Sequence, residues 1–264
     1  MKLFIDIGNR RIKWATSGQL ETASRRNRYG KEIQEQVVDA APENLRQNLG
    51  RQFEALARPE KIVISSVSGP SACHAVIALC RELWQRQPEM LQAGAQFGPL
   101  KNRYHPPHSL GIDRWAALVA ADHMREGERV AVVDAGTAIT IDFIESDGNF
   151  PGGMIFPGIA TMIRSLNLST DQIQVHPAIP ADRTKLQITN NTTQCAVANG
   201  VVLSVVATID RAIEMFESEP GSKPGVFVTG GDAGIVEGLS GHEMRVEPAL
   251  VLVGIRMLER RFSS

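Results

Sequence analysis

Apolar residues along this chain fall in short runs that end abruptly at polar turns. Lys2–Ile7 reads as a strand, and Ile12–Ala15 as its return after a turn. The same arrangement recurs at Val130–Val133 and Ala138–Ile144. Lys61–Val67 is another short β-branched run, after which Gly69-Pro70-Ser71 opens a helix with Val76, Leu79, Cys80 and Leu83 on one face. A further helix begins near Asp113. A long one over Thr193–Phe216 carries Val197, Val201, Val205, Ile209 and Ile213 on one broad face. Gly225–Ala233 reads as strand, glycine turn and helix start, and a last helix covers Pro248–Arg261. Strands alternating with helices predict an α/β protein.

Two of these runs echo each other. "FIDIGNRRIKW" and "VVDAGTAITID" share apolar-apolar-Asp-small-Gly-polar followed by a strand. The echo predicts two domains of similar construction, each opening with its own hairpin, at 1–118 and 119–264.

Composition narrows the partners. Lys and Arg total 28 against 29 Asp and Glu, which argues against a nucleic-acid surface. "RRNR" (Arg25–Arg28) reads as a solvated loop. Cys73, Cys80 and Cys195 form no CxxC pair, so neither a disulfide framework nor a zinc site is indicated. "HPPH" (His105–His108) holds two prolines where a metal-binding HxxH needs a helix, and reads as loop. No apolar run approaches the roughly 18 residues of a membrane span, and the N-terminus lacks a signal-peptide pattern. The expectation is a reduced, soluble, cytoplasmic protein that engages neither membrane nor nucleic acid.

The candidate chemistry sits in the two Asp-x-Gly turns. Glycine allows a tight backbone and close approach of a ligand, and turn amides can cradle phosphate. Asn9 or Thr137 can add a hydrogen bond. An aspartate repels phosphate but can hold a cation that binds it, directly or through water. One such turn is a common hairpin; two, each ending an apolar strand and facing across a cleft, would hold a metal–nucleotide complex. No G-x-x-x-x-G-K-[S/T] is present, and Gly221-Ser222-Lys223 is only a loop fragment. "GGMIFPG" (Gly152–Gly158) permits close backbone approach at two places, and "VTGGDA" (Val228–Ala233) offers main chain against which a base or ribose could lie. Asp113 at a helix start is equally readable as N-cap and as catalytic base, and the two roles can coexist. Thr193 after "TNNTT" and Asp232 after the glycine pair admit the same cap reading.

Taken together, these residues resemble the type III pantothenate kinases, members of the superfamily of sugar kinases, actin and Hsp70-type ATPases. "DIGNRRIK" (Asp6–Lys13) resembles the family's first phosphate motif, "DAGTA" (Asp134–Ala138) its second, and "GIDR" (Gly111–Arg114) its Gly-x-Asp-Arg. "GGMIFPG" and "TGGDA" match its later glycine motifs. Arg10 stands where the family usually has a Ser or Thr hydroxyl near the phosphates. The resemblance implies two actin-like, ribonuclease H-like domains around a nucleotide cleft, and a homodimer packed through helices of the second domain. It implies transfer of phosphate from Mg-ATP to pantothenate, the first step of coenzyme A synthesis. By that resemblance Asp113 is the base, and Asp134 binds a monovalent cation, potassium or ammonium. ATP is held by Asp6, Ile7, Gly8, Asn9, Arg10, Arg11, Ile12, Lys13 and Thr137. Pantothenate is held by Tyr104, by Gly111, Ile112, Asp113 and Arg114, and by Thr193, with Thr192 an adjacent alternative. Rival readings are a sugar-type kinase on the same fold and a non-catalytic transcription accessory factor. Degeneration of the aspartates would mark the latter, and Asp6, Asp113 and Asp134 are intact.

Overall fold

The computed structural model describes residues 1–25, 36–39, 42–182, 184–217 and 223–261. In chain order the elements are β1 (Lys2–Ile7), β2 (Arg11–Thr16), α1 (Ser17–Arg25), β3 (Gln36–Asp39), α2 (Pro42–Glu54), β4 (Lys61–Ser66) and α3 (Pro70–Trp84). Next come β5 (Glu89–Met90), β6 (Gln96–Phe97), β7 (Leu100–Asn102), α4 (Ile112–Met124), β8 (Val130–Ala135), β9 (Ala138–Ile144), β10 (Asn149–Phe150) and β11 (Gly152–Pro157). The chain finishes with α5 (Ile159–Ser169), α6 (Thr193–Phe216), β12 (Gly225–Thr229), α7 (Ala233–Leu239), β13 (Arg245–Val246) and α8 (Leu250–Arg261).

The chain forms two compact units. The first comprises Met1–Met124, Asp147–Asn149 and the segment from Ala249; the second comprises Arg125–Ser146 and Phe150–Pro248. A single boundary at residue 118 does not describe this division. It cuts through α4, whose buried face runs on through Ala121, and it assigns α8 to the wrong unit.

In the first unit a five-stranded sheet has the order β3-β2-β1-β4-β5. β1 pairs antiparallel with β2 and parallel with β4. Alternation puts Leu3, Ile5 and Ile7 on one face, in a core with Leu45, Leu49, Phe53, Val76, Leu79 and Cys80. Trp14 and Trp84 flank Phe53 there, with ring centroids 5.5 and 5.1 Å from it. On α3 the buried face includes Ala72 and Trp84 besides the expected Val76, Leu79 and Cys80, while Leu83 packs at its edge. α4 and α8 pack on each other, and both also pack on β4. From α8 the buried Glu259 accepts from Lys2 Nζ (3.0 Å) and Lys61 Nζ (3.0 Å).

In the second unit the sheet order is β11-β9-β8-β12-β13. β8 pairs antiparallel with β9 and parallel with β12, repeating the arrangement of the first unit strand for strand. Ala131, Val133, Ile139 and Ile141 meet Val197, Val201, Val205, Ile209 and Ile213 of α6 in one core. Among the described residues α6 is the one helix long and apolar enough to cross a membrane, and that valine-isoleucine face lies in this core. Of the "RRNR" cluster only Arg25, the last residue of α1, falls within the described residues; the Gly221-Ser222 part of the loop fragment lies outside them.

Candidate functional site

Asp6 stands one residue before the end of β1. Its partner across the hairpin is Lys13, and its partner on the parallel strand is Ser65. Ser65 is fully buried, and its Oγ donates to Asp6 Oδ1 at 3.1 Å. The Gly8 amide donates to Arg11 O at 3.0 Å and closes the turn. Asn9 and Arg11 are exposed, and Arg10 and Lys13 are half-buried. Ile7 and Ile12 are both fully buried, so they can meet a nucleotide through main chain alone.

In the same unit α4 starts at Ile112 with Trp115 N donating to Gly111 O, so Asp113 lies inside the first turn and is not the N-cap. Its Oδ1 accepts from the amide of Arg114 at 2.7 Å. Burial pushes the Asp113 carboxyl above the ordinary range, while the Arg114 amide and guanidinium pull it back. Arg114 is a buried cation whose Nη1 donates to the Tyr104 hydroxyl at 3.0 Å, with the guanidinium 5.4 Å from the ring centroid. The structure thus brings Tyr104 to the Gly111–Arg114 segment, ten residues away in sequence. Asn102, absent from the sequence-based candidates, organises that loop. Its Oδ1 accepts from Tyr104 N (3.0 Å), and its Nδ2 donates to Gly94 O and Pro107 O (both 3.0 Å).

In the second unit Asp134 stands one residue before the end of β8. Thr140 is opposite it across the hairpin, and Thr229 is beside it on β12. The Thr229 hydroxyl donates to Pro248 O at 3.2 Å. The Gly136 amide donates to Ala138 O at 3.2 Å, again closing the turn. The glycine amides are therefore committed to their hairpins, and only the amides that follow them could donate to a bound anion.

Two glycines buttress this second turn. At Gly230 (φ +96°) an added Cβ would collide with Ala135 O and lie 2.6 Å from Asp134 Oδ1. At Gly158 it would collide with Gly136 O. The close approach foreseen for "GGMIFPG" is therefore made by the protein's own turn, and at Gly230 the room offered to a base is filled by Asp134 and Ala135. Thr137 O accepts from Gly158 N (3.0 Å) and from Thr161 Oγ1 (2.7 Å), a residue of α5 that sequence reading passed over. Asp232 holds the cap position of α7 without a side-chain cap bond, and its amide donates to Ala135 O at 2.9 Å.

Thr192 is the N-cap of α6, its Oγ1 accepting from Cys195 N at 3.2 Å, so Thr193 is the first helical residue and not the cap. Both line a cavity of about 690 Å³ with Met162, Leu166, Gly200 and Val201.

Among the described residues no group of three or more His, Cys, Asp or Glu side chains stands ready to hold a metal. Carboxylates outside any such cluster, Asp6 and Asp134 among them, suit Mg²⁺, which keeps water and substrate phosphate in its shell and rarely takes an all-protein cage.

A family model described as Type III pantothenate kinase matches residues 2–215. The chain is 32% identical over 259 residues to a type III pantothenate kinase of Nitrosococcus oceani, covering 97% of this chain and 92% of the relative. It is 28% identical over 266 residues to that of Alcanivorax borkumensis, covering 99% of each. Among solved structures it is similar to a conserved protein from Campylobacter jejuni assigned to the Baf family of transcriptional activators, at TM-score 0.58 and 19% identity, covering 99% of this chain and 100% of that one. It is also similar to the activator of 2-hydroxyisocaproyl-CoA dehydratase from Clostridium difficile, solved with bound ADPNP, at TM-score 0.51 and 11% identity, covering 100% and 97%. At these identities the structural likeness speaks to the fold alone, the actin-like α/β architecture.

Proposed function

The chain belongs to the type III pantothenate kinase family, and from that premise we propose how its own residues move a phosphoryl group from ATP to pantothenate. Phosphoryl transfer has a loose transition state, so positioning and charge neutralisation supply most of the catalysis. The Mg²⁺ that accompanies ATP would offset the negative charge of the phosphates.

Asp6 orients that ion, mainly through its waters. Amides of Asn9, Arg10 and Thr137, at the tips of the two turns, donate to phosphate. Arg11 and Lys13 add positive charge beside the first turn. The Thr137 hydroxyl contacts ATP, and its carbonyl, held by Gly158 and Thr161, fixes the turn. Asp134 carries a monovalent cation, potassium or ammonium; support comes from the packing of its Oδ1 over Gly230 beside the Ala135 carbonyl.

Pantothenate is bound by Tyr104, Gly111, Ile112, Arg114 and Thr193, and Asp113 accepts the proton of its primary hydroxyl. The observation that carries this reading is the state of Asp113. Its carboxylate is off the N-cap position, half-buried, and fixed by the Arg114 amide beside that buried arginine's guanidinium. A homodimer through α6 is supported by Leu203 (43% exposed) and Met215 (72% exposed) on the face turned away from the core, with small Ala196, Gly200 and Ser204 beside them. The reaction's place is the cytoplasm, where ATP and the thiol-reducing pool reside.

The test is ADP release on adding pantothenate, with and without potassium. Pantothenate-dependent release that potassium stimulates is expected. Release driven equally by hexoses, or equal rates in sodium and potassium, would remove the substrate or the cation assignment respectively.

A further inference from the structure

Ser65 is an anomaly of the first sheet. β4 is a β-branched run, and a parallel strand buried on both faces ordinarily carries only apolar side chains. Ser65 nevertheless has no exposed surface, and a buried hydroxyl without a partner is costly. It finds its partner in Asp6 Oδ1 at 3.1 Å. The register leaves no slack: Asp6 pairs with Ser65, Ile7 with Ser66, and Val67 N continues the ladder to Ile7 O at 3.2 Å. A bond from this hydroxyl to the aspartate is not simply what the fold demands. The second sheet has Thr229 in the same register beside Asp134, and that hydroxyl turns to Pro248 O.

We infer that Ser65 is a positioning residue for nucleotide binding, its hydroxyl holding one oxygen of the Asp6 carboxylate so that the other points to the hydrated cation of a metal–nucleoside triphosphate. The inference rests on the reading that Asp6 serves Mg-ATP. A hydroxyl has one proton, and giving it to Oδ1 fixes the carboxylate rotamer and stabilises its charge. Second-layer donors of this kind commonly change metal affinity or activity by about 10-fold or more when removed.

The test compares wild type, Asp6→Asn, Ser65→Ala and the double variant, measuring Mg-ADP binding by calorimetry and KM for Mg-ATP and for pantothenate. Ser65→Ala is expected to weaken Mg-ADP binding and raise KM for Mg-ATP about 10-fold, with KM for pantothenate unchanged and the double variant no worse than Asp6→Asn. Should the alanine variant fail to fold, Ser65→Cys keeps the volume with only a weak donor and is expected to show the same split. Unchanged Mg-ADP binding in the serine variant while Asp6→Asn loses it would overturn the inference, as would additive losses in the double variant. If Asp6→Asn itself binds Mg-ADP normally, the nucleotide role of Asp6 falls, and the inference with it.

Discussion

The two Asp-x-Gly hairpins occupy the same place in sheets of the same order, yet each holds its carboxylate differently. In the first, Ile7 and Ile12 are the last ladder pair; in the second, Ala135 and Ile139 are, so the second loop is one residue shorter. Opposite Asp6 stands Lys13; opposite Asp134 stands Thr140. The neighbouring buried hydroxyl donates to Asp6 in one unit and away from Asp134 in the other. Glycine at 158 and 230 makes room for the second turn. The two frames thus share their backbone pairing and differ in the charge around the carboxylate. One carboxylate sits among donors and a cation; the other sits against carbonyl-bearing main chain, where a weakly hydrated cation is the natural complement.

The largest expected effect lies outside both hairpins. Asp113→Asn should lower turnover by about 10²–10⁴-fold while the protein stays folded. A carboxyl whose folded pKa is raised binds its proton more tightly in the native state. Stability is therefore highest below the unfolded value and declines as pH climbs through the window between the unfolded and folded values. Asparagine cannot ionise, so at pH 7 the variant should be at least as stable as wild type in urea melts. The acid limb of the wild-type kcat/KM profile should lie above the ordinary carboxylate range. Near-normal turnover would show that the first unit does not hold the base.

Next in size is the buttress. Gly230→Ala adds a strained φ and a backbone collision, and should cost about 3 kcal/mol or more. Gly8→Ala, whose Cβ would sit 3.1 Å from Arg11 O, should cost about 1 kcal/mol. Equal costs in chemical denaturation would erase the claimed difference between the turns. Third, Asp134→Asn should abolish potassium stimulation with about a 10-fold loss of activity, whereas the residual activity of Asp6→Asn should still respond to potassium. Stimulation surviving in both variants would remove the cation from the second hairpin. The smallest effect is at Arg10: Arg10→Ser should raise KM for ATP about threefold at low ionic strength, fading as salt screens the charge. A shift that ignores salt would mean the guanidinium does not act through its charge.

Much of this was legible in the chain. The Thr193–Phe216 helix declares both ends, because its 3.6-residue apolar period starts at a threonine pair and stops before an acidic, proline-bearing stretch. The paired hairpins and the strand–turn–helix at Gly225–Ala233 were equally plain. What escaped depends on distance in sequence. The two-residue strands β5, β6, β10 and β13 carry no period to detect. α5, which follows the glycine-proline stretch, was not among the expected helices. The Ser65–Asp6 bond spans 59 residues and exists only once β1 and β4 lie parallel. Asp113 illustrates the limit at a site: aspartate near a helix start suits a cap, and an offset of two residues from the N-cap Gly111 puts it inside the first turn instead.

The lysine pair that Glu259 ties down has one member in the second residue of the chain. Emerging from a ribosome, Lys2 waits for a partner made more than two hundred residues later, while Arg125–Pro248 already contains everything the second unit needs. The first unit therefore cannot close its Glu259 ion pairs until the segment from Ala249 has been made.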